Sequence, residues 1–405
     1  MHSEITIGVR LRTLRRWRGM SLDELAGLSG LSKSHLSRVE RGLRALDRRS
    51  HIAAIANALR VSETDLVGGP HLTKDPVQSG PHLAIPALRV AIQANTLTEP
   101  AIDRARPLDD LARLVKDELE PLRRACDYAA IGQILPGVLD ELHWHAAQPA
   151  DEAAHRLALE TLVEACVCAT FTTKNLGYPD LAYTAASRAA EAAAVLDDPA
   201  VTGKAEFLRL QTLPKAAQRQ ALLAAERAAD RLEPHASATP CGIEALGMIV
   251  LSASLAAATL YKTDSAEHWL AEAARLATQV SDDPMTNWQS FSATNVQVWR
   301  VTVEVERGLA GGGVLELAQD VNETRLGRSS RRAALCVDVA RGLARDARTR
   351  DEAVKWLSRA EKIAPQRIRN SATARDTIAV MLEQARIASQ ARELRGMAAR
   401  MGIAH

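Results

Sequence analysis

The chain has 405 residues, of which 47% are hydrophobic but only 3% aromatic, and long alanine-rich runs recur along it. This composition favours closely packed helices and argues against a β-rich fold, because strands use more Val, Ile, Tyr and Phe. The formal net charge of +2 divides unevenly, with +5 on residues 1–67 and −3 on the remainder, so only the N-terminal region has a positive field suited to a phosphate backbone.

The first organised stretch is SLDELAGLSGLSKSHLSRVERG, residues 21–42. Ser21 and Glu24 have capping-box spacing and predict the start of a helix. Gly30 predicts a turn, and Ser32 predicts the N-cap of a second helix. Two short helices joined by such a turn predict a helix-turn-helix unit.

The second helix of this unit carries one polar, cationic face. Arg and Lys can bond to guanine O6 and N7 in a major groove, and Ser can donate or accept one hydrogen bond. An ordinary solvated helix face would show the same charge pattern, so the surrounding sequence has to decide between the two. The residues predicted to bind DNA are Ser32, Lys33, Ser34, Ser37, Arg38 and Arg41.

The stretch from about Ile7 to Val67 resembles the Cro and phage-repressor type of helix-turn-helix domain, also called the XRE family. The resemblance is carried by an Arg-rich first helix, the LDELA and VERG segments, and a leucine-rich segment followed by VSETDL. It implies a five-helix DNA-binding domain. It also implies that Glu40 pairs with Arg15 of the first helix, in a structural role.

The next stretch, GGPHLTKDPVQSGPHLAIP, is rich in Gly, Pro and Ser and has no periodicity, which predicts a connector. Helical periodicity resumes by Leu88 and is firm from Leu108. We therefore predict a DNA-binding domain over residues 1–67, a connector over 68–100 and a helical domain over 101–405.

A weak internal repeat runs through the helical domain. Segments that start at residues 182, 221, 266, 314 and 353 place mostly small residues at helical spacing, as in RDEAVKWLSRAEKIAP. They resemble degenerate tetratricopeptide repeats, in which each antiparallel helix hairpin buries one face on the next. The sequence thus predicts an all-α fold, with a five-helix head followed by a superhelical array of hairpins.

Catalytic and metal-binding signatures are missing from the sequence. There is no Walker loop, no GxGxxG after a strand, no HExxH and no GxSxG, and the five cysteines are scattered without a CxxC pair. We expect no enzymatic activity, no cofactor and no metal. The N-terminus lacks the apolar core of a signal peptide, and the longest uncharged run is only 17 residues, so we expect a cytoplasmic protein without a membrane partner.

One further stretch, NWQSFSATNVQVWRVTVEVERG, suggests a ligand site. Taken as one helix, it places Trp288, Phe291, Asn295 and Trp299 on one face. An aromatic stripe with an Asn amide can line a concave surface that binds a peptide. The alternative is that the stripe is core between hairpins, which is the commoner role of Trp at helical spacing.

The whole pattern resembles bacterial one-component regulators that join an XRE head to tetratricopeptide repeats, including peptide-sensing quorum regulators. The resemblance implies a homodimer that binds an inverted-repeat operator in double-stranded DNA and responds to a peptide or small-molecule effector. The alternative is a protein-interaction adaptor, such as an antitoxin-like partner binder. Salt-sensitive, sequence-selective DNA binding would distinguish the regulator from the adaptor.

Overall fold

The computed structural model describes residues 6–70, 75–283, 286–385 and 388–403, and these contain helices and turns but no strand. The all-α prediction is confirmed. The N-terminal domain packs five helices around one core of leucine, isoleucine and valine side chains. These helices are α1 Ile7–Trp17, α2 Leu22–Ser29, α3 Lys33–Glu40, α4 Arg49–Leu59 and α5 Glu63–Val67.

Local capping sets the ends of α2 and α3. The Ser21 hydroxyl accepts from the Glu24 N–H at 3.1 Å, and the Glu24 carboxylate accepts from the Ser21 N–H at 2.7 Å. Gly30 ends α2 in the left-handed region at φ +69°, which a side chain would strain. The Ser32 hydroxyl then accepts from the His35 N–H at 3.2 Å and starts α3. Together α2 and α3 form the helix-turn-helix unit.

The rest of the chain forms a helical array. Its helices are α6 Pro76–Ser79, α7 Ile85–Ala94, α8 Leu108–Leu114, α9 Glu120–Ala125, α10 Tyr128–Ala147, α11 Glu152–Asn175, α12 Pro179–Leu196, α13 Pro199–Thr212, α14 Gln218–Ala236, α15 Pro240–Thr259, α16 Thr263–Ala277, α17 Ala293–Arg307, α18 Gly312–Gln319, α19 Ser329–Ala344, α20 Arg350–Ile363, α21 Pro365–Arg369, α22 Ala372–Gln384 and α23 Ala388–Arg400. A π-helical turn, Val115–Leu119, joins α8 to α9.

Antiparallel hairpins build this array in two rows. The inner row is α11, α13, α15, α17 and α19, and each of these helices packs on the next. The outer row is α12, α14, α16, α18 and α20, each paired with the inner helix before it. All five predicted repeat starts lie in outer helices and are buried, which lets the helices approach closely: Ala182, Ala221, Ala266, Val314 and Ala353.

Helix α15 is long and apolar enough to cross a membrane, but 89% of its apolar window is buried inside the protein. It contacts α13, α14, α16 and α17, so it is the central helix of the array.

The connector predicted for residues 68–100 is wrong over much of its length. Helix α7 buries Ile85, Leu88 and Ile92 in the core of the array and packs against α10 and α12. The connector was predicted from the density of Gly, Pro and Ser, which is typical of loops. Pro76 and Pro86 instead lie in the first turns of α6 and α7, where the missing N–H costs nothing.

The two ends of the array meet. Glu120, just after the π-helical turn, pairs with Arg328 ahead of α19 at 2.7 Å. Asp75, ahead of α6, pairs with Arg369 of α21 at 3.1 Å. The array therefore closes on itself into a ring.

The N-terminal domain is docked on one rim of this ring. The Leu46 N–H donates to the Asp376 carboxylate at 3.0 Å. Asp47 lies among arginines of α19, where its backbone oxygen accepts from Arg341, and the Arg49 N–H donates to Glu306 at 2.9 Å. Charged and polar groups, buried on both sides, thus hold the domain to the ends of α17, α19 and α22.

One of these contacts should depend on pH. Burial and the neighbouring Asp47 raise the pKa of Asp376 to about 7, whereas the pKa of an Asp in the unfolded chain is about 3.9. The folded protein therefore holds a proton between these values that the unfolded chain has lost, so its free energy of unfolding should fall as pH rises from about 4 to 7. The Asp376→Asn variant should lack this decrease in the free energy of unfolding, because an Asn side chain does not titrate.

Urea titrations of wild type and variant at pH 5 and pH 8 measure the difference. Asp264→Asn, at an exposed position of α16, is the control and should keep the wild-type pH dependence. If Asp376→Asn also keeps the wild-type pH dependence, the Asp376 carboxyl is not the group that holds the extra proton in the folded protein.

Candidate nucleic-acid interface

Helix α3 separates a buried face from an exposed one. Leu36 and Val39 lie in the core of the N-terminal domain, at 0% and 1% exposure. Lys33, Ser34 and Arg38 are exposed on the opposite side. Since the domain is docked through the segment after α3 and the start of α4, this face of α3 stays open to solvent.

The remaining residues predicted to bind DNA flank that open face. Ser32 is exposed, but its hydroxyl is used as the N-cap of α3. Ser37 is half-buried, and its backbone oxygen accepts from Arg41 Nε at 3.2 Å. Arg41 is exposed at the end of the helix, where its guanidinium is available to a phosphate.

Lys33 has a partner that it can exchange. Its Nζ lies 2.7 Å from Asp23 of α2, and both side chains are more than half exposed. An exposed pair of this kind contributes little to stability, so Lys33 can leave Asp23 for a base edge or a phosphate at small cost.

A buried ion pair orients α3 relative to α1. Arg15 Nε and Nη2 donate to the two carboxylate oxygens of Glu40 at 2.6 and 2.8 Å. A third donor, Arg15 Nη1, bonds to the Met20 backbone oxygen at 2.7 Å. The Glu40 contact raises the pKa of Arg15, and the side chains are only 11% and 6% exposed. The ion pair implied by the family resemblance is thus present, and it is bidentate.

Arg44 belongs to the same surface and was not predicted from the sequence. It is exposed two residues after Gly42 and lies within electrostatic range of Arg38 of α3, and also of Asp47 at the docking contact. The basic run RGLRALDRR over residues 41–49 was the available signal, but a turn gives no helical spacing from which to assign a face.

Two histidines lie behind the exposed face. His35 and His51 meet edge to face, with ring centroids 4.9 Å apart. Burial and nearby arginines lower the pKa of His35 to about 4 and that of His51 to about 3. Both are neutral near pH 7, so the charge of this surface there comes from Arg and Lys.

The predicted effector stripe is not one helix face. Trp288 lies in a 3-10 turn that is broken at Gln289, and α17 begins only at Ala293. Phe291 is fully buried against Gly247, while Asn295 and Trp299 are 0% and 4% exposed. These side chains are buried in the array, so they do not form an open stripe on one helix face. Effector binding by them is untested and stays a prediction. The single-helix prediction failed because the Gln289 and Ser290 backbones are left-handed, which no sequence pattern indicated.

No group of three or more His, Cys, Asp or Glu is placed to hold a metal ion within the ranges that the structure describes. The expectation that the protein is not an enzyme is untested by this observation and stays a prediction.

Comparison with known proteins identifies one part of the chain. Residues 6–67 match the model of a family described as a helix-turn-helix domain. No curated protein and no solved structure shows significant similarity to the chain. The matched residues span α1 to α5, the same five helices that present the exposed cationic face. The N-terminal domain is therefore a helix-turn-helix DNA-binding domain.

Proposed function

We propose that the protein is a sequence-specific transcriptional regulator, whose helical array senses an effector and sets the geometry of a dimer in the cytoplasm. The observation that carries the proposal is the open, cationic face of α3 on a domain whose other side is held against the array. A surface kept free in this way suits a partner as large as DNA.

Each side chain of α3 that is predicted to bind DNA has a role that its chemistry supports. Lys33, Ser34, Ser37 and Arg38 would contact base edges in the major groove, because they lie along one side of a helix that fits there. Arg41, at the C-terminal end of α3, would hold a phosphate.

The docking contacts give the array a means to influence DNA binding. In a dimer, the two α3 helices must enter successive major grooves roughly 34 Å apart. Because the N-terminal domain bonds to the ends of α17, α19 and α22, a ligand that changes the curvature of the ring would also change this separation.

The test is to incubate the full-length protein with fragmented genomic DNA at about 0.15 M salt and to sequence the retained fragments. Enrichment of an inverted repeat, with half-sites about one helical turn apart, is the expected result. Retention without any shared motif would contradict sequence-specific regulation.

On an enriched site, Arg38→Ala should weaken binding by about 1–3 kcal/mol and relax the preference at one base pair. Arg41→Ala is the matched comparison, because loss of a phosphate contact weakens binding to all sequences alike and reduces the salt slope by about 1. Arg113→Ala, exposed on α8, should leave binding unchanged. Fluorescence anisotropy with the site and a scrambled duplex measures all three, and an equal loss on both duplexes would make Arg38 a phosphate contact.

A further inference from the structure

The interior of the ring holds a group of cations from five separate elements. Lys174 of α11 lies within electrostatic range of Arg49 of α4, Lys215 of the turn before α14, Arg331 of α19 and Arg367 of α21. All five side chains are half-buried. We call the space that these five side chains border the chamber.

Three of these cations make hydrogen bonds or ring contacts only with neutral groups, although the Asp338 carboxylate also attracts Arg331 electrostatically. Lys174 Nζ donates to the Gln211 side-chain oxygen at 3.0 Å, and Arg367 donates to a backbone oxygen at 2.5 Å. The Arg331 guanidinium lies over the Trp299 ring, 5.3 Å from its centroid. Burial and the four surrounding cations hold the pKa of Lys174 well below its usual range. The five cations thus lie near three carboxylates, Glu63, Glu306 and Asp338, and two of these, Glu306 and Asp338, also pair with Arg341. The cations therefore exceed the carboxylates around them.

A neighbouring cluster around Arg123 and Arg328, both of which pair with Glu120, adds buried donors that lack acceptors. The Phe171 ring connects it to the cations above, lying 6.0 Å from the Arg123 guanidinium and 5.8 Å from Lys174 Nζ. Beside Arg123, Gln289 Nε2 and Arg328 Nη1 are buried and have no hydrogen-bond partner among the described residues. Trp299 Nε1, whose ring lies under Arg331, is also buried and also lacks a hydrogen-bond partner among the described residues.

Unmet donors and an excess of cations are the complement of an anion with several oxygen atoms. We propose that this chamber binds a small polyanion that carries carboxylate or phosphate groups, held chiefly by Lys174, Arg331 and Arg367. The cations that border the chamber are half-buried, which favours a small molecule over a long peptide. The assignment of this molecule as the effector rests on the proposed function, whereas the anion binding does not.

A ligand placed here would contact both parts of the protein. Arg49 belongs to the N-terminal domain, and its backbone N–H and side chain already contact Glu306 of α17. An anion that bridges Lys174 and Arg49 would tie the domain more firmly to the rim, and this gives the ligand a route to the position of α3.

The experiment is thermal unfolding of the full-length protein with sodium pyrophosphate, with sodium citrate and, as a neutral control, with glycerol, all at one ionic strength. We expect the melting temperature to rise with the concentration of pyrophosphate, citrate or both, as for a ligand of the native state, and to be unaffected by glycerol. The two salts distinguish phosphate from carboxylate chemistry.

The double variant Lys174→Gln, Arg331→Gln should bind the same anion at least tenfold more weakly. Without ligand it should be at least as stable as wild type, because it removes like charges that repel each other. Two controls should keep the wild-type response: Lys355→Gln, on the exposed face of α20, and Arg38→Ala, on the DNA-binding face.

Absence of any rise in wild type would overturn the proposal, as would an equal rise in the double variant. DNA binding of the same preparations is measured separately by anisotropy. If the protein bound the anion but showed no sequence-specific DNA binding, only the proposed function would be contradicted. If it bound DNA specifically but did not bind the anion, only the proposed anion site would be contradicted.

Discussion

Replacement of Arg341 by Ala should lower the free energy of unfolding by about 3–5 kcal/mol and release the N-terminal domain from the ring. Arg341 lies at the centre of the docking contacts. Its guanidinium donates to Glu306 at 2.9 Å and to Asp338 at 2.8 Å, and also to the backbone oxygen of Asp47. None of these four side chains is more than 12% exposed.

The size of the effect follows from the charges that would remain. Burial opposes ionisation of Asp47 and Glu306, yet neighbouring arginines hold the pKa of both carboxyls below its usual value. Arg341 is among those arginines in both cases. Its removal leaves three carboxylates close together in a site that excludes water, with Arg345 and Arg49 as the cations left to balance them.

Urea denaturation measures the loss of stability, and limited proteolysis of the segment 43–48 measures release of the domain. Arg348→Ala is the matched control, since Arg348 pairs with Asp346 only a few residues further on but is exposed. This control should change neither measurement. If Arg341→Ala behaved like the control, the contacts between the domain and the ring would not be those described.

The elements that the sequence predicted well depend on short-range contacts. The capping box of α2 joins Ser21 to Glu24, three residues apart, so the spacing alone was sufficient. Within each predicted repeat, small residues recur at helical spacing, which was sufficient to predict a helix there. The Arg15–Glu40 pair spans 25 residues, and only the family resemblance indicated it.

The features that the sequence could not predict depend on residues far apart in the chain. Glu120 and Arg328 close the ring across 208 residues, and Asp47 meets Arg341 across 294. No periodicity links such positions, because any Arg of a solvated helix face looks the same as one that is buried at an interface. The chamber was missed for this reason, since its cations come from five elements and converge only after the ring closes.

Replacement of Glu40 by Ala should lower the free energy of unfolding of the N-terminal domain by about 1–3 kcal/mol. The change leaves two donors of the Arg15 guanidinium without an acceptor in a place where the side chain is 11% exposed. Because the pair holds α3 against α1, DNA binding should also weaken, although Glu40 itself is buried and would not contact DNA.

Asp23→Ala is the control for Glu40→Ala, because it also breaks a salt bridge but one that is not buried. It also removes a carboxylate from an ion pair of the same domain, that with Lys33, but both partners there are largely exposed. Such a pair contributes little, so its loss should leave the melting temperature nearly unchanged. The free Lys33 would still be available to DNA, and binding should be kept. Thermal unfolding and fluorescence anisotropy are measured on both variants. If Glu40→Ala and Asp23→Ala changed the melting temperature and DNA binding equally, the buried Arg15–Glu40 pair would not determine the position of α3.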